Sequence, residues 1–277
     1  MRSWTMARAL SLDIVAGGLC GGLLAVHVTG ASMPPVWWAL LPSAIWVVYT
    51  LDHLMDARRV GASAGSQRHQ VHARHFRLLS FLAASIGVST GLAAFIWLPA
   101  RLLVPGLLLA VAVALYLAGS QSRRAGAGWK EPAAGLLYAG GIWYGPVLES
   151  GESGLWVVLC LALFASAAIL NLLLCSLFEI AIDREEGHAS VALSWGSRHV
   201  ERLVCGLALP GVGLAVACAA AGPDRLRAAF AILGILAAGP LLVLARPDWF
   251  RRGERYRVFG DLLFLLPALP LLFGRIA

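Results

Sequence analysis

The sequence predicts an all-α, polytopic membrane protein, and three observations predict it. Apolar residues make up 59% of the 277-residue chain and charged residues only 13%, about half the share of an ordinary soluble domain. Mean hydropathy is +0.77. Nine apolar runs are each long enough to cross about 30 Å of hydrocarbon as a helix. The basic residues alternate from one side of these runs to the other. The 30 Gly and 13 Pro are spread through the apolar runs, which excludes a collagen-like or low-complexity chain and suits close helix packing.

The nine runs fall at 9–28, 36–57, 76–98, 102–118, 132–149, 155–183, 199–220, 226–245 and 258–274, in a single domain covering residues 1–277. The first follows Met1-Arg2-Ser3-Trp4-Thr5-Met6-Ala7-Arg8, which has the polarity of a signal peptide, but no A-x-A site precedes the next run. It reads as a retained first helix. Its Gly17-x-x-x-Gly21 and Gly18-x-x-x-Gly22 allow close packing. Turn signals separate later runs, as at Met33-Pro34-Pro35, Gly151-Glu152-Ser153-Gly154 and Gly222-Pro223-Asp224. The five cysteines (20, 160, 175, 205 and 218) all lie in apolar runs without a C-x-x-C, so they read as packing residues and not as disulfides or a zinc site.

With the N-terminus in the cytoplasm, the inside segments hold 18 of the 22 Lys and Arg residues, and the outside segments hold only Arg101, Arg225, Arg227 and Arg275. That bias predicts a multi-pass protein of the inner (cytoplasmic) membrane with an external C-terminus. It also explains the formal net charge of +7 without a nucleic-acid partner. No Walker loop, HExxH, GxSxG or Rossmann glycine pattern is present, so nucleotide-driven transport, zincin and serine-hydrolase chemistry have no support. The chain also shows no inverted repeat of the kind found in transporters.

Ionisable groups near membrane helices are costly, so the runs that carry them are informative. The second run ends in Asp52-His53-Leu54-Met55-Asp56-Ala57-Arg58-Arg59, and the sixth in Glu179-Ile180-Ala181-Ile182-Asp183-Arg184. Both place two carboxylates at i and i+4, on one helical face, at the cytoplasmic end. Helix C-termini disfavour negative charge by up to about 1 kcal/mol per group, so a cation should compensate. Four oxygen donors suit Mg²⁺ bridged to a phosphate. The alternative is local pairing, Asp56 with Arg59 and Asp183 with Arg184.

Glu179-x-x-x-Asp183-x-x-x-Gly187-x-x-Ser190-Val191-Ala192-x-x-x-Gly196 resembles the second carboxylate motif of the UbiA superfamily of intramembrane prenyltransferases, with Glu in place of the first Asp. The nine-helix layout resembles that family too. The first motif departs from the family's N-D-x-x-D-x-x-x-D: with Asp52 on the first Asp, Met55 and Arg59 stand at the later acidic positions. With Asp56 on the middle Asp, Asp52 stands on the Asn and His53 on the first Asp. Arg68 falls where the family has a diphosphate-binding Arg, followed by His69 where Pro is usual.

The resemblance implies a UbiA-like fold and an enzyme that moves an isoprenoid group from a prenyl diphosphate to a lipophilic acceptor. It implies Mg²⁺ held by Asp52, Asp56, Glu179 and Asp183, with Arg68, Lys130 and Arg198 neutralising the diphosphate. The acceptor is open between a quinone-precursor ring, a tetrapyrrole propionate and a lipid, and intramolecular attack would make a terpene cyclase. The rival reading, supported by the depleted first motif, is a non-catalytic subunit that binds an isoprenoid or pigment within a membrane complex.

Other polar residues have two readings each. The loop Gln67–Arg77 can cap a diphosphate, hold a transition metal through His69, His72 and His75, or contact lipid headgroups. Lys130 is either a diphosphate ligand or a positive-inside anchor. Asn171 either faces the carboxylate cavity or bonds a neighbouring helix. Tyr138, Trp143 and Tyr144 either line a prenyl pocket or simply pack. Asp13 and Asp261 have no partner that the sequence reveals.

Overall fold

In the computed structural model, residues 3–60, 67–120, 127–150 and 154–269 are described, and among them there is no strand. In chain order the helices are α1 (Ser3–Ala9), α2 (Leu12–Thr29), α3 (Trp37–Val60), α4 (Gln67–Arg74), α5 (Phe76–Trp97), α6 (Ala100–Ser120) and α7 (Lys130–Ser150). There follow α8 (Leu155–Phe178), α9 (Ile180–Glu186), α10 (Val191–Trp195), α11 (Ser197–Ala221), α12 (Arg227–Ala245), α13 (Pro247–Arg251) and α14 (Arg255–Leu263). Among the described residues six helices are long and apolar enough to cross a membrane: α2, α5, α6, α8, α11 and the stretch Asp224–Ala245 that contains α12. Helices α3 and α7 are as long, with 24 and 21 residues. They carry Asp52, His53 and Asp56, and Lys130, Glu131 and Glu149, which dilute their apolar character. The ninth run is described only as far as residue 269, as α14 and a 3₁₀ turn at Leu266–Ala268.

The core lies between α2, α7, α8 and α12, where Trp143, Phe164 and Phe230 are fully enclosed among Leu, Ala and Ile side chains. Such apolar packing can be close only where backbones approach. On α2 a Cβ added at Gly21 would stand 2.8 Å from the Phe164 ring of α8, so glycine is what admits that ring. Helices α5 and α6 behave differently: Phe81, Phe95, Trp97, Leu108 and Leu115 all lie open on their outer faces. Large apolar side chains so placed suit hydrocarbon and not water. At one end of the bundle Arg101 grips Glu149 with two charge-assisted bonds of 2.9 and 2.7 Å, tying the start of α6 to the end of α7.

One expectation is corrected here. The run 155–183 reads as a single helix, but the helix breaks at Glu179, which has φ −102° and ψ 4°. No Pro or Gly is at that point. The cause is tertiary: the Glu179 side chain is held by α14, and the chain restarts as α9 beyond it.

Candidate functional site

One carboxylate of each motif, Asp52 and Asp183, lies within electrostatic reach of Lys130 at the start of α7. Asp52 sits on α3 with its Oδ1 buried and without a hydrogen bond among the described residues. The charges acting on it are those of Asp56 and Lys130. Lys130 opens α7 and acts on Asp183 as well. Among the described residues it is therefore a cation within electrostatic reach of both motifs. Asp56, 6% exposed, has its Oδ1 3.9 Å from Nε2 of His188, while Nδ1 of His188 lies 3.7 Å from Oε2 of Glu186. His188 thus bridges the end of α3 to the end of α9.

The backbone around Asp183 explains the spacing of the second motif. Helix α9 ends at Gly187, whose φ of +69° is the left-handed cap that glycine adopts without a Cβ penalty. The chain then enters α10 at Ser190, and the Val191 N–H donates to Oε1 of Glu131 at 3.0 Å. Gly196 follows with φ +81° and ψ 148°, a conformation that residues with a Cβ avoid, and turns the chain into α11. The motif is thereby pinned to α7 by the residue next to Lys130. Asp183 is pushed up to about 7, chiefly by burial, against which the Ser190 hydroxyl and then Lys130 act, while Glu179 and Glu131 add to the rise.

Glu179 is placed differently from the other three carboxylates. Arg257 of α14 holds it as a fork, Nε donating to Oε1 at 2.8 Å and one terminal nitrogen lying 2.7 Å from Oε2. The Tyr256 hydroxyl also donates to Oε1, at 3.0 Å. Among the described residues no three His, Cys, Asp or Glu side chains form a ready-made metal-binding group.

The remaining expected residues divide. Arg198 is exposed in the first turn of α11. Arg68 lies in α4, with its side chain and that of His69 outside the described residues. His72 is buried and its ring meets that of His53 at 5.1 Å, while His75 is exposed, so these two histidines do not share one environment. Asn171 packs against the Gly260 backbone of α14. Trp143 is fully buried, Tyr138 stacks on Phe164, and the Tyr144 hydroxyl lies over Gly106. Asp13, without a visible partner in the sequence, lies 3.7 Å from Nε of Arg8.

Four contributors were not anticipated: Glu131, His188, Tyr256 and Arg257. Arg257 lies in a run of basic residues that reads as membrane-side charge. The one signal available was that Glu179, a carboxylate at a helix C-terminus, needs a cation.

No protein-family model matches the chain, and no curated protein matches it by sequence. Solved structures do. The chain is similar to a UbiA homolog from Archaeoglobus fulgidus bound to GPP and Mg²⁺, with 11% identity, a TM-score of 0.64 and 98% of each chain covered. It is also similar to digeranylgeranylglyceryl phosphate synthase, with 12% identity, a TM-score of 0.60, and 98% of this chain and 97% of that one covered. The chain shares the fold of these two structures, a UbiA-like fold.

Proposed function

We propose that the protein is an intramembrane prenyltransferase that moves an isoprenoid group from a prenyl diphosphate to a lipophilic acceptor. The observation that carries this reading is that Asp52 and Asp183 both lie within electrostatic reach of Lys130, with Asp56 acting on Asp52, in a UbiA-like fold. In this reading residues 1–277 are one domain crossing the cytoplasmic membrane nine times. α3, α7 and the last run complete the six apolar crossings, and the N-terminus is inside. Reporter fusions should place residues 60–72 in the cytoplasm; an external signal there would overturn the orientation.

The donor chemistry suits Mg²⁺: among the described residues Asp52 Oδ1 is a buried acceptor without a hydrogen bond, and Asp56 and Asp183 offer further hard oxygens. Glu179 is the fourth carboxylate of the pattern, engaged by Arg257. When bound, the metal would supply charge to a diphosphate as it leaves. Lys130 adds a fixed positive charge where the diphosphate oxygens gather as the allylic C–O bond breaks, its electron pair departing with the oxygen. Arg68 and Arg198 complete the proposed diphosphate set. The apolar helix walls exclude water until the acceptor attacks the carbocation.

The test offers the purified protein several prenyl diphosphates, with membrane lipid extract as acceptor source, and follows diphosphate release with and without Mg²⁺. Mg²⁺-dependent release supports the reading. The second reading, a non-catalytic isoprenoid- or pigment-binding subunit, is favoured by the engaged Glu179 and the depleted first motif. Wild-type protein that binds no prenyl diphosphate would favour it decisively.

A further inference from the structure

Helix α14 meets α8 at two heights. At the first, Asn171 lies against the Gly260 backbone so closely that any Cβ there would collide with its amide. At the second, eight residues or about 12 Å further along α8, Glu179 receives Arg257 and Tyr256. The Tyr256 ring also stacks on Phe178 at 4.7 Å, and the Arg251 guanidinium lies 5.4 Å from the Phe178 ring centre. The break between α8 and α9 is thus gripped from one side by α14. Asp183 is the next carboxylate down the chain, and its N–H donates to the Glu179 carbonyl at 2.8 Å. The position of Asp183 is therefore set from the residue that α14 grips.

The Glu179 carboxylate is filled by this grip. Oε1 accepts from two donors and Oε2 faces the second arm of the fork, with the Arg257 side chain only 13% exposed. A cation taking this carboxylate would leave a largely buried guanidinium without its counter-charge, which is far less favourable than the fork it replaces. The fork also supplies the positive charge that a carboxylate at the end of α8 requires.

We propose that Arg257, assisted by Tyr256, is the positioning residue of the second motif: it clamps Glu179 as a structural acceptor and leaves Asp183 as that motif's metal carboxylate. The metal half of this proposal rests on the prenyltransferase reading; the clamp does not. The experiment uses the full-length protein and two measurements. Thermal unfolding is followed for Glu179→Gln, Arg257→Gln, their double variant and the charge swap E179R/R257E. Binding of Mn²⁺, as a probe for Mg²⁺, is followed by EPR with geranyl diphosphate present.

A clamp predicts that each single substitution lowers Tm by more than about 5 °C, with the double variant no lower than the worse single. It predicts that the swap regains at least half of that loss and binds Mn²⁺ within about threefold of wild type. Additive losses of Tm, or a swap that regains Tm while Mn²⁺ binding stays more than about tenfold weak, would overturn it. If the swap does not fold, Arg257→Gln decides by sign: a clamp predicts weaker Mn²⁺ binding, whereas release of a metal ligand predicts tighter binding. Wild-type protein that binds no Mn²⁺ with geranyl diphosphate would overturn the prenyltransferase reading, and the unfolding series would then decide the clamp alone.

Discussion

Asp183→Asn is expected to abolish Mg²⁺-dependent consumption of a prenyl diphosphate, with a loss of about 100-fold or more, while the protein stays extractable and monodisperse. The substitution removes one formal charge with almost no change of shape, so lost activity reports lost cation binding and not lost packing. Were Asp183 merely one half of a surface pair with Arg184, its contribution would be about 0 to 1 kcal/mol and the variant would behave like the wild type. Burial pushes the Asp183 carboxyl up to about 7. Between the ordinary carboxylate range and that value the folded protein binds more protons than the unfolded chain, so this group's contribution is fully present at acid pH and is lost as pH rises through about 7. Metal-free wild type should therefore lose Tm across that window, and Asp183→Asn should not. Because Mg²⁺ needs the carboxylate, its affinity should fall about tenfold for each pH unit below 7 in the wild type. Metal titrations at pH 6, 7 and 8 read that slope, and a pH-independent affinity would remove Asp183 from the ligand set.

The fold was legible because hydropathy is read segment by segment: the long helices from α2 to α12 lie where the first eight apolar runs lie, with ends shifted by a few residues. The pairing of Asp52 with Asp56 followed from i, i+4 spacing on α3, a local property. What escaped depends on contacts distant in sequence. The break at Glu179 has no local breaker and comes from Arg257, 78 residues away. Glu131 shows no pattern of its own in the sequence, and its acceptor role is fixed by Val191, 60 residues on. His188 lay between two recognised motif positions and showed no pattern of its own, because its partner Asp56 is on another helix. Spacing alone also does not say which side of α4 meets α3: His72 and His75 have helical spacing, yet His72 is buried and His75 is exposed.

Lys130→Met is expected to raise KM for the prenyl diphosphate by about 10- to 100-fold, equivalent to about 1.4 to 2.7 kcal/mol of lost binding. Lys130 is half-buried and acts on Asp52, Asp183 and Glu131 together, so its charge serves acceptors from α3, α7 and α9. Methionine keeps the length and apolar stem of the side chain, which isolates the charge from the packing. Without the ammonium, Asp183 loses one of the influences that hold its carboxyl down, so the pH at which Mg²⁺ binds should move upward as KM rises. Those two shifts are linked only if the charge works at the carboxylate cluster. A lysine that merely anchors the inner mouth of α7 to lipid headgroups would leave both within about twofold in the methionine variant. Lys130→Arg separates the readings further, since a membrane anchor tolerates it fully, whereas a half-buried site built for a compact ammonium regains only part of the affinity. Steady-state kinetics with metal titration at two pH values decide between them, and an unchanged KM in Lys130→Met would take Lys130 out of the diphosphate site.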